Sequence, residues 1–340
     1  MSMKRTLIAC AALTVFLCAV SGWFLWQAHS FLHTPAETPG REVVVHITPG
    51  ETFDEAASAL QANGVITDAW RFRLLARLEG KAQSIKAGEF SLHSSWTPRQ
   101  VLDALTEGRA MLHKLFIPEG LPWWKVARVV EESGLTTAES FEKAIHDKDL
   151  LRSYNIPFDN AEGFLYPETY LIPRPRGGDA APIVRTMLST FWEQAGNHLW
   201  PNGPPPADEL KRIVTLASMV EKETAAASER ARIAGVYTNR LRRGMRMQCD
   251  PTVIYGLGTA FDGNITKKHL RDSSNPYNTY RHKGLPPGPI CSPGRPALEA
   301  AMRPEKHKYI FFVSKGDGTH KFSRTLREHN RAVRRYLLRR

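Results

Sequence analysis

Glu221 and Glu223 have the strongest claim on proton chemistry in this sequence. They close a segment, Asp208 to Thr224, that contains neither Gly nor Pro. Asp208 and Glu209 in its first turn complement the positive end of a helix dipole, so the segment is expected to be helical. At about 100° per residue, Leu210, Ile213, Val214, Leu216, Ala217 and Val220 fall on one apolar stripe. Glu221 lies inside that stripe, whereas Glu223 sits about 200° further round, on the edge shared with Arg212. Glu223 therefore reads as an exposed ion-pair former and Glu221 as an interior carboxylate. An interior carboxylate is costly unless it is paired, protonated or bordering a cleft. Three fates are open to Glu221: structural pairing with Arg230 or Arg240, bending to solvent at the helix end, or work as a general acid of raised pKa. Glycosidic cleavage needs the last of these.

The residues that follow suit a neutral polyhydroxy ligand. A second helix is expected from Ser228 to Gly244, ending in Asn239-Arg240-Leu241. Gln248, Asp250 to Gly256, Asn275 to Tyr280 and Gly284 to Ile290 then place amides, hydroxyls and tyrosines in Pro- and Gly-fixed loops. Gln248, Tyr255, Asn278 and Tyr280 are candidates for orienting a sugar. Asn239, Arg240 and Asp250 fit equally well as a structural network tying the second helix to the loop. No phosphate-cradling Gly-rich loop, H-E-x-x-H or G-x-S-x-G motif is present. His307, His320 and His329 have no usual metal-ligand spacing, and a hairpin around Gly316-Asp317-Gly318 accounts for His320 more simply.

These loops must be held by the rest of a 340-residue chain, long enough for two domains. Its 42% hydrophobic and 24% charged residues exclude wholesale disorder, and four cysteines exclude a disulfide-rich scaffold. Lys4 and Arg5 precede an uncharged run from Thr6 to Trp26, about the ~20 residues needed to cross a bilayer. A tail over 1–5, a retained membrane helix over 6–27 and a linker over 28–42 are expected. The basic flank predicts an inside N-terminus, so the remainder lies outside the cytoplasm. There Cys249 and Cys291 could form one bridge or stay as buried thiols. The net charge of +12 favours an anionic surface or polymer, and this topology argues against nucleic acid. The Arg324 to Arg340 segment reads as a solvated basic helix.

Residues 43–110 alternate strand and helix. Val43 to Ile47 and Gly88 to Leu92 are expected strands, and Thr52 to Glu55 opens a helix as a capping box. Further helices are expected over Trp70 to Leu78, with Phe72, Leu75 and Leu78 at helical spacing, and over Thr97 to Glu107. This order resembles a LysM-like module, through phrases such as Lys86-Ala87-Gly88-Glu89-Phe90; a spacer without a ligand is the alternative. Residues 111–340 form the larger unit, with a helix over Trp123 to Ser133. Its aromatic stretch Glu162 to Tyr170 suits either a sugar cleft or core, and Pro201 to Pro206 is the clearest breaker.

Ala217-Ser218-Met219-Val220-Glu221-Lys222-Glu223-Thr224, Asn239-Arg240-Leu241, Gln248 with Asp250-Pro251-Thr252-Val253-Ile254-Tyr255-Gly256, Tyr277-Asn278-Thr279-Tyr280 and Gly284-Leu285-Pro286-Pro287-Gly288 closely resemble the endolytic murein transglycosylases. The resemblance implies an α+β fold with a membrane helix, a LysM-like domain and a catalytic domain over 111–340, whose motifs lie in 207–330. It implies a lyase of the inner membrane that cuts the MurNAc–GlcNAc β-1,4 bond of nascent strands, leaves 1,6-anhydro ends and terminates elongation. It puts the catalytic glutamate on Glu221 and requires no metal or cofactor. Peptidoglycan strands are the implied substrate, with peptidoglycan synthases as candidate partners. Cys249 stands where the family pattern has threonine, a departure expected to touch loop packing and not the acid. A hydrolytic muramidase and a non-enzymatic peptidoglycan-binding scaffold are the alternatives.

Overall fold

A computed structural model describes residues 2–337, with side chains described from residue 13. Met1 of the expected tail and residues 338–340 of the basic terminal segment lie outside the described residues. The chain divides into two compact units, the first ending at His113 and the second beginning at Lys114.

The first unit opens with helix α1 (Ser2–His33). Its stretch Leu13–His33 is long and apolar enough to cross a membrane. The helix outruns the boundary expected at residue 27, because Ala28 to Leu32 contains no breaker and Phe31 packs into the core of this unit. Strand β1 (Glu42–Ile47) pairs antiparallel with β2 (Gly88–His93), with Val43 opposite Leu92 and Val45 opposite Phe90. Between them lie α2 (Phe53–Ala62) and α3 (Ala69–Leu78), and α4 (Pro98–Thr106) follows. Thr52 and Glu55 form the expected capping box on α2, Asp68 caps α3, and Thr97 with Gln100 boxes α4. The strands alternate in and out, so Val43, Val45 and Ile47 meet Leu60, Phe72 and Leu102 in one core. Leu78 is a correction: it points outward, since only Phe72, Leu75 and Ala76 occupy the inner face of α3 beside Ala69.

The second unit continues through β3 (His113–Phe116), α5 (Trp123–Glu132), α6 (Ala138–Ile145), α7 (Lys148–Ser153), β4 (Thr169–Ile172) and α8 (Ala181–Phe191). Strands β3 and β4 pair, and Phe164 and Leu165 just before β4 are core residues. The short α9 (Asn197–Leu199) precedes the proline breaker. Then come α10 (Ala207–Glu223), α11 (Arg230–Arg242), α12 (Asp250–Leu257), α13 (Lys267–Arg271) and α14 (Arg295–Met302). Strands β5 (Phe311–Ser314) and β6 (His320–Ser323) form the hairpin expected around Gly316 to Gly318, and α15 (Leu326–Tyr336) closes the described chain.

Helix α10 is the centre of this unit. Every residue from Ile213 to Val220 is buried, not only the apolar stripe. Helices α11 and α14 pack on it, and α12 lies against it too. A helix covered on all sides offers no solvated edge, so both of its terminal glutamates are placed by their neighbours rather than by periodicity.

Candidate active site

Glu223 is half-buried, which corrects its reading as an exposed ion-pair former. The hydroxyl of Tyr237, from α11, donates to its Oε1 at 2.7 Å. The Cys249 thiol also lies within its hydrogen-bonding reach, so the cysteine in the threonine position does touch this carboxyl. Burial raises the Glu223 pKa. The Tyr237 and Cys249 bonds and the nearby His320 ring oppose the rise, and the charge of Asp250 adds to it. Beneath it, Glu229 accepts from the backbone N–H of His320 at 3.1 Å and pairs with His320 Nδ1 at 2.7 Å.

The same carboxyl lines a groove of about 560 Å³, together with Gln248, Asp250, Tyr280, Phe311 and Asn330. That volume falls within the roughly 300–1,000 Å³ of small-ligand sites. Asp250, in the first turn of α12, accepts from the Tyr280 hydroxyl at 2.6 Å. Gln248 has a φ of 51°, in the left-handed region that most side chains avoid. It is held there by its N–H to the Thr279 carbonyl at 3.2 Å and by Cys249 N–H to Thr279 Oγ1 at 3.0 Å. This brace leaves the Gln248 amide exposed on the groove. Three predicted residues, Gln248, Asp250 and Tyr280, are therefore gathered around Glu223.

Glu221 does point inward, but into an occupied place. Its side chain is only 7% exposed, its Oε2 accepts from Gly294 N–H at 3.1 Å, and Arg230 Nη2 lies 3.9 Å from Oε1. Gly294 is the N-cap of α14, so this carboxylate closes a helix N-terminus where orphan N–H groups and the dipole favour negative charge. Burial still raises its pKa, and the neighbouring Glu119 adds to that; Gly294, Arg230 and Lys222 work against it. Of the three fates open to Glu221, bending to solvent does not fit a side chain only 7% exposed, whereas pairing with Arg230 and work as a general acid of raised pKa both fit this geometry.

The remaining candidates separate cleanly. Asn278 is fully buried and its Nδ2 donates to the carbonyls of His269 at 3.1 Å and Asp272 at 2.5 Å, so it braces its loop and cannot orient a sugar. Asn239 donates to the carbonyls of His307 at 2.8 Å and Tyr309 at 2.9 Å, and Arg240 to those of Met247 and Ile310, both at 2.6 Å. They tie α11 to the hairpin as well as to the loop; the bond of Asp250 goes to Tyr280. His307 Nε2 contacts the Arg232 carbonyl at 2.8 Å, and His329 stacks on Phe311. Cys249 and Cys291 are free buried thiols.

Tyr255 faces a second groove, of about 350 Å³, with Trp124, Arg128, Lys222 and Phe261. Pro251 lines both grooves, so they adjoin across the start of α12. The ring of Tyr255 lies 4.9 Å from that of Trp124, and its hydroxyl is engaged by Glu162. Glu162 is almost fully buried and also accepts from Trp123 N–H at 2.9 Å and Gly163 N–H at 3.3 Å. Burial pushes its pKa up to about 8. Sequence reasoning missed both Tyr237 and Glu162. The one available signal for Glu162 was a charged residue beginning an otherwise aromatic stretch; Tyr237 gave none.

The model of the YceG-like family matches residues 45–335. The endolytic murein transglycosylase of Bacillus subtilis (strain 168) is 28% identical over 337 residues, 94% of this chain and 91% of that protein. The protein of the same name from Streptococcus pneumoniae serotype 2 (strain D39) is 26% identical over 355 residues, and the match spans 94% of this chain but 63% of that protein. A crystal structure of a YceG-like protein from Listeria monocytogenes superposes with a TM-score of 0.55 at 30% identity, covering 85% of this chain and 98% of that one.

Proposed function

Because this chain belongs to the YceG-like family, we propose that it is a membrane-anchored endolytic murein transglycosylase whose general acid is Glu221. One observation carries the acid assignment: burial raises the pKa of this inward-pointing carboxyl, at the position that the family resemblance gives to the acid. Protonated Glu221 donates to the oxygen of the MurNAc–GlcNAc β-1,4 bond. The resulting carboxylate takes the proton of the muramyl C6 hydroxyl as that oxygen attacks C1, which yields the 1,6-anhydro end. The nucleophile is part of the substrate, and effective molarities of up to ~10⁵–10⁸ M for such intramolecular steps offset the lack of a separate activated water. Gln248 and Tyr280 orient the sugar from the groove that Glu223 lines. The adjoining groove, with Trp124 and Tyr255, gives the strand a continuation past the cut, as an endolytic enzyme requires.

Lys4 and Arg5 ahead of the apolar helix support an inside N-terminus and an inner-membrane enzyme whose second unit faces the wall. Cutting nascent strands there would end their elongation, beside the synthases that make them.

A hydrolytic muramidase is the second reading, favoured by Asp250, a carboxylate on the groove that Gln248 and Tyr280 line. Mass spectrometry of digested murein separates the two. The proposal expects muramyl ends one water lighter than reducing ends. Reducing ends alone would establish hydrolysis, and no cleavage by the full chain would overturn both readings.

A further inference from the structure

Helix α3 carries two apolar faces. Its inner face is Ala69, Phe72, Leu75 and Ala76. Its outer face is Trp70, Leu74 and Leu78, which are 67%, 44% and 78% exposed and recur every four residues along one stripe. Arg71, Arg73 and Arg77 lie between the two faces. An exposed ridge of this kind is unusual on a soluble domain and marks a surface that awaits a partner.

The position of the ridge identifies the partner. Trp70, Leu74 and Leu78 line one side of an apolar groove of about 230 Å³, and Trp23, Phe24 and Phe31 of α1 line the other. Trp23, Phe24 and Trp26 are themselves well exposed, at the outer end of the apolar run Thr6 to Trp26. The outer face of α3 is thus continuous with the surface of α1 at the depth where indole rings favour the headgroup boundary.

We infer that α3 is an interfacial helix: it lies in the membrane surface beside the anchor, with Trp70, Leu74 and Leu78 among the upper acyl chains of the phospholipids. The arginines that border the stripe reach the phosphates, as basic residues on amphipathic surface helices do. The anchor is then two-part, a spanning helix and a surface helix, and it holds the first unit down on the bilayer. This inference rests on α1 crossing the membrane, not on the reaction.

The test uses the full chain with Cys10 and Cys18 replaced by serine, reconstituted in phosphatidylcholine–phosphatidylglycerol vesicles. An environment-sensitive thiol probe is placed by Leu78→Cys or Leu74→Cys, and for comparison by Val44→Cys on β1, which is 50% exposed. Lipids with a nitroxide high on the acyl chain should quench the probes at 78 and 74 at least about threefold more than the probe at 44, and iodide should show the reverse order. Equal iodide access at 78 and 44 would overturn the inference. So would protection at 78 that vanishes when the protein is diluted in the vesicles, because the partner would then be a second copy of the chain.

Discussion

Two carboxylates leave the end of α10 on opposite sides and enter different surroundings. Glu221 meets a helix start and an arginine, with its oxygens committed to Gly294 N–H and the Arg230 guanidinium. Glu223 meets a tyrosine hydroxyl and a thiol behind it and a groove in front. Both have raised pKa values, chiefly from burial, so desolvation by itself does not distinguish an acid from a brace. What separates them is their partners: a backbone N–H and a guanidinium 3.9 Å away for Glu221, a tyrosine hydroxyl for Glu223. A perturbed carboxylate becomes a candidate acid only with a second signal, which for Glu221 is its place in the family's motif.

The sharpest way to break the comparison keeps both charges and moves them. Glu221→Asp withdraws the carboxyl by one methylene, and turnover of murein strands should fall by about 10²-fold. Glu223→Asp should stay within about tenfold, since its carboxyl is held by Tyr237 away from the reacting bond. Next in size is Arg230→Gln, expected to lower turnover about tenfold. The guanidinium favours the ionised form of Glu221, so its removal raises the Glu221 pKa further and moves the descending limb of the pH–rate profile to higher pH; an unmoved limb would place Arg230 outside the reaction. The smallest effect concerns the second groove. Glu162 has a folded pKa of about 8 against 4.5 for the ordinary group, so the folded state holds its proton more tightly. The stability associated with that proton is complete below about 4.5 and is lost as pH rises through about 8. Between these values the melting temperature of Glu162→Gln should decline several degrees less than that of the parent.

Local features were legible in the sequence. The capping box of α2, the limits of α10 and the β5–β6 hairpin each depend on residues a few positions apart, and each lies where the pattern puts it. The surroundings of Glu223 were harder, because they are assembled from Tyr237, Cys249, Asp250 and His320, which no helical wheel brings together. The wheel assumed one solvated side, and α10 has none over Ile213 to Val220. Asn278 failed for a different reason: an amide that braces a loop and one that reads a sugar look identical as letters, and only three carbonyls converging on its Nδ2 decide the matter. Leu78 shows the converse, an apolar residue at core spacing that faces outward, which periodicity from Phe72 and Leu75 could not reveal.

The central claim is tested most directly by comparing Glu223→Gln with Glu221→Gln on the same murein strands, each shown to be folded. The account predicts that Glu221→Gln loses about 10²–10⁴-fold in rate, the usual worth of a general acid, while Glu223→Gln keeps most of its activity. An inactive Glu223→Gln beside an active Glu221→Gln would contradict it.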